Sequence, residues 1–367
     1  MENYNKAEQD KLVSLLEKKA ELRNVHGLDM LIKHIPDLDI EGGFDPRVKA
    51  EIEEMAKEME DQSIEVKRLF ENMPIEIMRQ GMGYTNLDIS NGIGISDKVV
   101  EGRNGTINVK VYTTNKSDKM PAIVFIHGGA FCGGSTKTVE NPCKYLAEKI
   151  QGVVVSVDYR LCPEHKFPQG FHDCLDTVKW LYENSEELNV DNEKIGISGD
   201  SAGGNLSTVC ALMDRDLGTK MIKFQALLYP GVFLTENEVE DYKFDLNLYN
   251  IKYDYELVKN AIMMITNFPP ISAVYVDEVK ETENKYVSPL LAENLRDMPK
   301  TLIVTAEYDY LTLEAEAYAR KLIRDGVETK VIRYNGVDHA FIDKFGVYPQ
   351  AQDCMDEIAK AFEAAIS

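Results

Sequence analysis

The stretch Ile195-Gly196-Ile197-Ser198-Gly199-Asp200-Ser201-Ala202-Gly203-Gly204-Asn205-Leu206 constrains this chain more than any other. A short apolar run passes through Gly-x-Ser-x-Gly and on into small and apolar residues able to form a helix. A serine at so tight a strand-to-helix turn is pushed out of the fold, where its hydroxyl can attack. Small neighbours are required because the turn is strained and strand and helix approach closely. The helix also offers free N–H groups and the positive end of its dipole where an oxyanion would form. As a bare pattern Gly-x-Ser-x-Gly recurs by chance. Its meaning depends on whether the chain supplies a base, an orienting acid and a second set of anion donors.

The histidines are His26, His34, His127, His165, His172 and His339. His339 stands in Gly336-Val337-Asp338-His339-Ala340-Phe341, between the last predicted strand and the last predicted helix, and the loops beyond strand C-termini are where open α/β sheets place their sites. His26 and His34 fall in the N-terminal stretch and have no such setting. Asp309 follows the strand Leu302 to Val304. Its rival Glu307 is two positions away and would point elsewhere in an extended segment. The order Ser201, Asp309, His339 is that of an α/β hydrolase and differs from the protease folds. After the strand Ala122 to Ile126 comes His127-Gly128-Gly129-Ala130-Phe131, whose consecutive glycines let backbone N–H groups turn towards a small anion; the plainer reading is a tight turn. A competing metal site could be drawn from Cys162, Glu164, His165, His172, Asp173 and Cys174, but the spacing matches no zinc motif. Pro163 and Pro168 suggest a rigid loop held by polar contacts, and no metal or cofactor is expected.

Buried strands alternate with helices over most of the chain. Ile107 to Tyr112 alternates apolar and polar residues, as a half-exposed antiparallel strand does. Ala122 to Ile126, Val153 to Val157, Ile195 to Ile197, Phe224 to Leu228, Leu302 to Val304 and Thr329 to Ile332 read as further strands. Helices are expected at Thr138 to Ile150, Gln169 to Glu183, Ser201 to Met213, Leu313 to Arg324 and Gln350 to Ala365. The alternation predicts a mostly parallel central sheet flanked by helices. Residues 1–90 differ, with helical periodicity at Leu12, Leu15 and Leu16, a helix start at Asp45-Pro46, and a further helix from Ile64 to Met78 interrupted at Pro74. They are expected to form a helical cap on a catalytic domain spanning 91–367. An acidic, tyrosine-rich interval at about 233–286, containing Phe268, Pro269 and Pro270, interrupts the alternation and reads as a cap insertion.

A net charge of −21 argues against nucleic acid and anionic membrane surfaces as partners. The six cysteines are scattered through a chain large enough to need no staples, the first 25 residues are charged throughout, and no apolar run reaches membrane-span length; a reduced, cytoplasmic protein is expected.

Together these motifs resemble the bacterial hormone-sensitive-lipase-type esterases of the α/β-hydrolase superfamily. The matching residues are His127-Gly128-Gly129-Ala130-Phe131, Asp158-Tyr159-Arg160-Leu161 with Pro163-Glu164-His165, Gly199-Asp200-Ser201-Ala202-Gly203-Gly204-Asn205, Tyr286-Val287-Ser288-Pro289-Leu290, Glu307-Tyr308-Asp309 and His339-Ala340-Phe341. The resemblance implies Ser201 as nucleophile, His339 as base, Asp309 as its orienter, and an oxyanion hole from the N–H groups of Gly128, Gly129 and Ala202. It reads His127, Arg160, Glu164 and His165 as structural. It departs from the family at Ala130, where many members have glycine, and at Tyr310, where many have proline. The implied activity is cofactor-free hydrolysis of short-chain, acetyl-like carboxylic esters, with an amidase or lactonase as the near alternative and a homodimer left open. Plant gibberellin receptors resemble the family but lack the triad histidine. This chain keeps it, so a binding role on a hydrolase scaffold is the remoter reading.

Overall fold

The computed structural model describes residues 5–60, 75–80, 82–83, 86–114, 116–237, 239–267 and 271–367. Ten strands form one sheet: β1 (Glu21–Val25), β2 (Leu28–Lys33), β3 (Gly94–Gly102), β4 (Gly105–Thr113), β5 (Met120–Ile126), β6 (Val153–Asp158), β7 (Val190–Asp200), β8 (Phe224–Leu228), β9 (Lys300–Tyr308) and β10 (Thr329–Asp338). Their order is β1-β2-β10-β9-β8-β7-β5-β6-β4-β3. Every pairing from β2 across to β6 is parallel, and the pairs at either end, β1 with β2 and β6-β4-β3, are antiparallel. The helices are α1 (Lys6–Lys18), α2 (Pro46–Glu60), α3 (Ile75–Gln80), α4 (Glu140–Lys149), α5 (Gln169–Glu183), α6 (Ala202–Leu217), α7 (Tyr255–Met263), α8 (Ile271–Val274), α9 (Thr312–Arg324) and α10 (Pro349–Ile366). The central strands are apolar along their length because both faces are covered: Ile123, Val124, Phe125 and Ile126 of β5 are all fully buried. Among the described residues no helix is long and apolar enough to cross a membrane.

The N-terminal stretch is not all helical, which corrects the expectation for residues 1–90. Residues 21–33 are a hairpin that extends the main sheet, β2 lying parallel to β10 with Leu31 opposite Ile332. Its turn is His26-Gly27, both at positive φ (49° and 79°), the twist that a two-residue hairpin loop needs. Leu28, Met30 and Ile32 alternate into the core. Six residues of alternation are a weak signal beside long helical periodicity, and the strand forms because β10 offers it an open edge. The helix start at Asp45-Pro46 is present: Asp45 Oδ1 accepts the Arg47 N–H at 2.9 Å. Of the helix expected from Ile64 to Met78, residues 64–74 lie outside the described residues, as do Phe268, Pro269 and Pro270 of the insertion.

Both roots of the 233–286 interval are tied to the body. The Glu314 carboxyl on α9 accepts the N–H of Val232 at 2.6 Å and of Phe233 at 3.1 Å. Ser288 Oγ accepts the Leu234 N–H at 2.9 Å. Asn205 on α6 donates to Gly231 O at 2.7 Å and Val287 O at 3.0 Å.

The hairpin is welded to the C-terminal helix through Lys33, only 1% exposed, whose Nζ lies 2.9 Å from Asp353 Oδ2 and 3.1 Å from Glu357 Oε1. Removing that ammonium leaves the buried Asp353 carboxylate without its cation, while Glu357 keeps Lys330 at 2.7 Å, so Lys33→Ala should cost about 3–5 kcal/mol in urea unfolding. A loss below about 1 kcal/mol, the range of a surface pair, would show that the hairpin is loosely attached.

Candidate active site

β7 runs straight into α6, and Ser201 is the residue between them, at φ 52° and ψ −118°. The chain reaches this conformation because its neighbours have no side chains: a Cβ on Gly199 would overlap the Gly203 carbonyl, and one on Gly203 would overlap the Ile126 carbonyl of β5. The hydroxyl therefore stands at the carboxyl end of the central strands. Asp309 follows the end of β9 and His339 the end of β10, so the parallel order of the sheet brings all three to one edge.

His339 Nε2 lies 2.9 Å from Ser201 Oγ and its Nδ1 2.8 Å from Asp309 Oδ2. Asp309 is 1% exposed; its Oδ1 accepts the Leu311 N–H at 3.0 Å and its carbonyl accepts the Tyr249 hydroxyl at 2.8 Å. These bonds fix the carboxylate so that Oδ2 faces the imidazole. The edge of the Tyr229 ring closes the other side, its centroid 5.0 Å from that of His339. Burial alone would lower the imidazole's pKa, but the charge and hydrogen bond of Asp309, helped by Asp200 and Asp338, lift it above the ordinary histidine value. A hydroxyl joined to an imidazole whose far nitrogen meets a buried carboxylate can pass its proton to the ring as the oxygen attacks a carbonyl.

The loop after β5 departs from expectation at one donor. The Gly128 N–H donates to Asp200 Oδ1 at 2.9 Å, so it is already committed and is not a free donor for an anion. Asp200 is nearly buried; burial raises its carboxyl to about 6, against the pull of the Gly128 N–H and of His339. The next two residues, Gly129 at φ 119° and Ala130 at φ 50°, donate to no acceptor among the described residues. Ala202 opens α6, so its N–H has no partner within the helix. Gly129 and Ala130 in this loop and Ala202 at the start of α6 thus keep N–H groups with no acceptor among the described residues. The sequence signal for the Gly128 bond was the acidic residue beside the serine, Asp200.

Glu307 does not face the imidazole. Its Oε2 accepts the Gly336 N–H at 2.8 Å, bracing the strand that carries His339, and burial lifts it to about 7 against that bond and Arg333. Three residues of the competing metal cluster are engaged by other side chains. Asp173 Oδ1 pairs with Arg160 at 2.6 Å, Glu164 with Arg79 at 2.5 Å, and His165 Nδ1 meets Gln169 Oε1 at 3.1 Å. His127 stacks on Tyr159, centroids 4.4 Å apart. His26 sits in the hairpin turn. His34 Nε2 meets Glu21 Oε1 at 3.0 Å. With Glu41 these two make the one set of possible metal ligands among the described residues, and Arg23 pairs with both carboxylates.

A family model described as "alpha/beta hydrolase fold" matches residues 123–343. An arylesterase of Saccharolobus solfataricus is 35% identical over 236 residues, 64% of this chain and 72% of that protein. A carboxylesterase of Mycobacterium tuberculosis is 31% identical over 255 residues, 68% and 75% of the two chains. Among solved structures, an esterase of Pyrobaculum calidifontis superposes with a TM-score of 0.68 at 33% identity, covering 88% of this chain and 98% of its own. A thermostable carboxylesterase cloned from a metagenomic library gives 0.66 at 30% identity, covering 83% and 97%.

The competition at His339 can be read directly. With Asp309→Ala the ring loses its chief charge partner while its burial remains, so ring-proton NMR should show it titrating below about 6.5. An unchanged or higher value would mean that Asp309 does not set the state of the imidazole.

Proposed function

Since this chain belongs to the α/β-hydrolase fold family, and with its esterase relatives is a carboxylic-ester hydrolase, we propose that it cleaves short-chain, acetyl-like acyl esters through Ser201, His339 and Asp309. The observation that carries the assignment of residues is the unbroken line from Ser201 Oγ through both nitrogens of His339 to Asp309 Oδ2, at 2.9 Å and 2.8 Å. His339 Nε2 takes the serine proton as Oγ attacks the ester carbonyl. Asp309 holds the tautomer with its proton on Nδ1 and stabilises the imidazolium that forms. The oxyanion is met by the N–H groups of Gly129, Ala130 and Ala202, each worth about 3–4 kcal/mol of barrier. His339 then protonates the leaving alcohol, and water opens the acyl-enzyme by the same route. Gly128 acts one step back, its bond to Asp200 holding the loop in place.

A small acyl group suits the surroundings. Ser201 keeps 8% of its surface, and Phe131, one residue beyond the proposed donors, is stacked on Tyr275 of the insertion with centroids 3.9 Å apart. All six cysteines are buried free thiols, which favours a reducing compartment such as the cytoplasm.

Three measurements test this reading. On p-nitrophenyl esters from acetate to palmitate, turnover should fall beyond about hexanoate, with Ser201→Ala reducing kcat roughly 10⁶-fold; activity rising towards palmitate, or surviving in that variant, would refute it. Asp309→Asn should lower kcat about 10⁴-fold while Glu307→Gln, which keeps an acceptor for Gly336, stays within about tenfold of the parent, one decade being 1.4 kcal/mol. The reverse ranking would make Glu307 the acid. A doubly protonated His339 cannot accept the serine proton, and its pKa is raised, so kcat/KM should fall on the acid side with an apparent pKa above about 6.5. A limb below that value would mean that another group controls the rate.

A further inference from the structure

Between the N-terminal hairpin and the insertion lies a cleft of about 180 Å³. Glu307, Arg333 and Asn335 line it from the sheet, Ile32 from the hairpin, and Leu248 and Tyr249 from the insertion. Ser201, Asp309 and His339 are not among its walls, so it is separate from the reacting hydroxyl. Its volume is that of about six waters at the ~30 Å³ each takes in the liquid, the space of one small sugar.

Two of its polar side chains are buried and unengaged. Asn335 is 8% exposed, and its amide has no hydrogen-bond partner among the described residues. It stands where the ladder between β9 and β10 is interrupted, from Tyr334 to Asp338, and such interruptions re-aim side chains. Glu307 is 7% exposed. Its Oε2 accepts the Gly336 N–H at 2.8 Å, and the neighbouring Tyr308 hydroxyl gives its proton to Asn250 O at 3.1 Å, which leaves Oε1 free to accept. Buried polar groups without partners are uncommon in folded proteins, and a ligand that meets them relieves their desolvation.

The charges around the cleft are, by contrast, already paired. Arg333 binds Glu316 through Nε at 2.9 Å and through Nη2. Arg23 binds Glu41 at 2.6 Å, and Glu21 as well. A charged ligand would enter without a counter-ion. The unengaged groups are an amide, which donates and accepts, and a carboxyl that burial lifts to about 7, which near neutrality does either. Ile32, Leu313 and Tyr249 put apolar surface beside them. Hydroxyl groups on a C–H frame match that combination.

We propose that this cleft binds a small neutral polyol of monosaccharide size, held by Asn335 and Glu307. Two of its walls also support the triad. Tyr249 donates to Asp309 O at 2.8 Å, and Glu307 holds Gly336, three residues before His339. The occupant touches both supports without reaching the serine.

The experiment is titration calorimetry of the full chain with D-glucose and D-xylose, and with D-gluconate and D-glucosamine as charged counterparts. Expected is saturable binding of a neutral sugar in the millimolar range at one site per chain, with the charged sugars weaker by about tenfold or more. Asn335→Leu, which removes the amide, and Leu248→Trp, which fills the cleft from its exposed rim, should each weaken the neutral sugar by about tenfold or more. Because the Asn335 amide has no partner to lose, Asn335→Leu should leave the urea midpoint unchanged or raise it, whereas an amide with a structural role would lower it. Ser201→Ala should bind the sugar as the parent does. No saturation by either neutral sugar, equal binding of the charged ones, or an affinity unmoved in both cleft variants would overturn the proposal. Binding lost in Ser201→Ala would place the sugar at the catalytic serine and overturn it too. None of these readouts needs turnover, so the cleft stands or falls independently of the esterase reading.

Discussion

The backbone of Ser201 sits where L-residues rarely go, at φ 52° and ψ −118°, a cost of about 1–3 kcal/mol. It persists because everything around it is already committed. The Ser201 N–H donates to Leu228 O at 2.9 Å, and the Ser201 carbonyl accepts Asn205 N–H at 3.1 Å and Gly231 N–H at 3.4 Å. Gly199 and Gly203 let α6 press against β5. The strain is what turns the hydroxyl outwards and leaves the first N–H of α6 beside it. Any residue with a larger neighbour at either glycine would have to give up the turn.

A projecting serine is useful only if the imidazole is held against it, and that holding reaches to the N-terminal region. The Asp45 N–H donates to Gly336 O at 2.8 Å, while Gln350 donates to Asp45 Oδ2 at 2.8 Å. Glu51 of α2 pairs with Lys344 and accepts the Tyr348 hydroxyl at 2.5 Å. With Glu307 on Gly336, these contacts brace the segment on both sides of His339. The N-terminal stretch thus works as a buttress for the histidine loop as well as a flank of the sheet. Arg79 gives it a second hold, on the loop after β5.

How much of this the sequence revealed follows from the range of the forces involved. The parallel strands, the helix Gln169–Glu183 and the order of Ser201, Asp309 and His339 were legible because each rests on local patterning: apolar runs for strands covered on both faces, a helical stripe, small residues at a strained turn. The β1–β2 hairpin was obscured because its six-residue alternation acquires meaning only from the edge of β10. The commitment of the Gly128 N–H was hidden for a similar reason. Nothing local to His127-Gly128-Gly129-Ala130 shows that Gly128 is claimed by Asp200, 72 positions away.

The central claim is that one hydroxyl in this chain is activated, by His339 and Asp309. Labelling with diethyl p-nitrophenyl phosphate, followed by peptide mapping, tests it most directly, since the reagent is captured covalently by an activated serine and needs no knowledge of the natural ester. A single phosphoryl adduct on Ser201, formed far more slowly in the Asp309→Asn protein, is the predicted result. An adduct on another residue, or none on a folded protein, would contradict it.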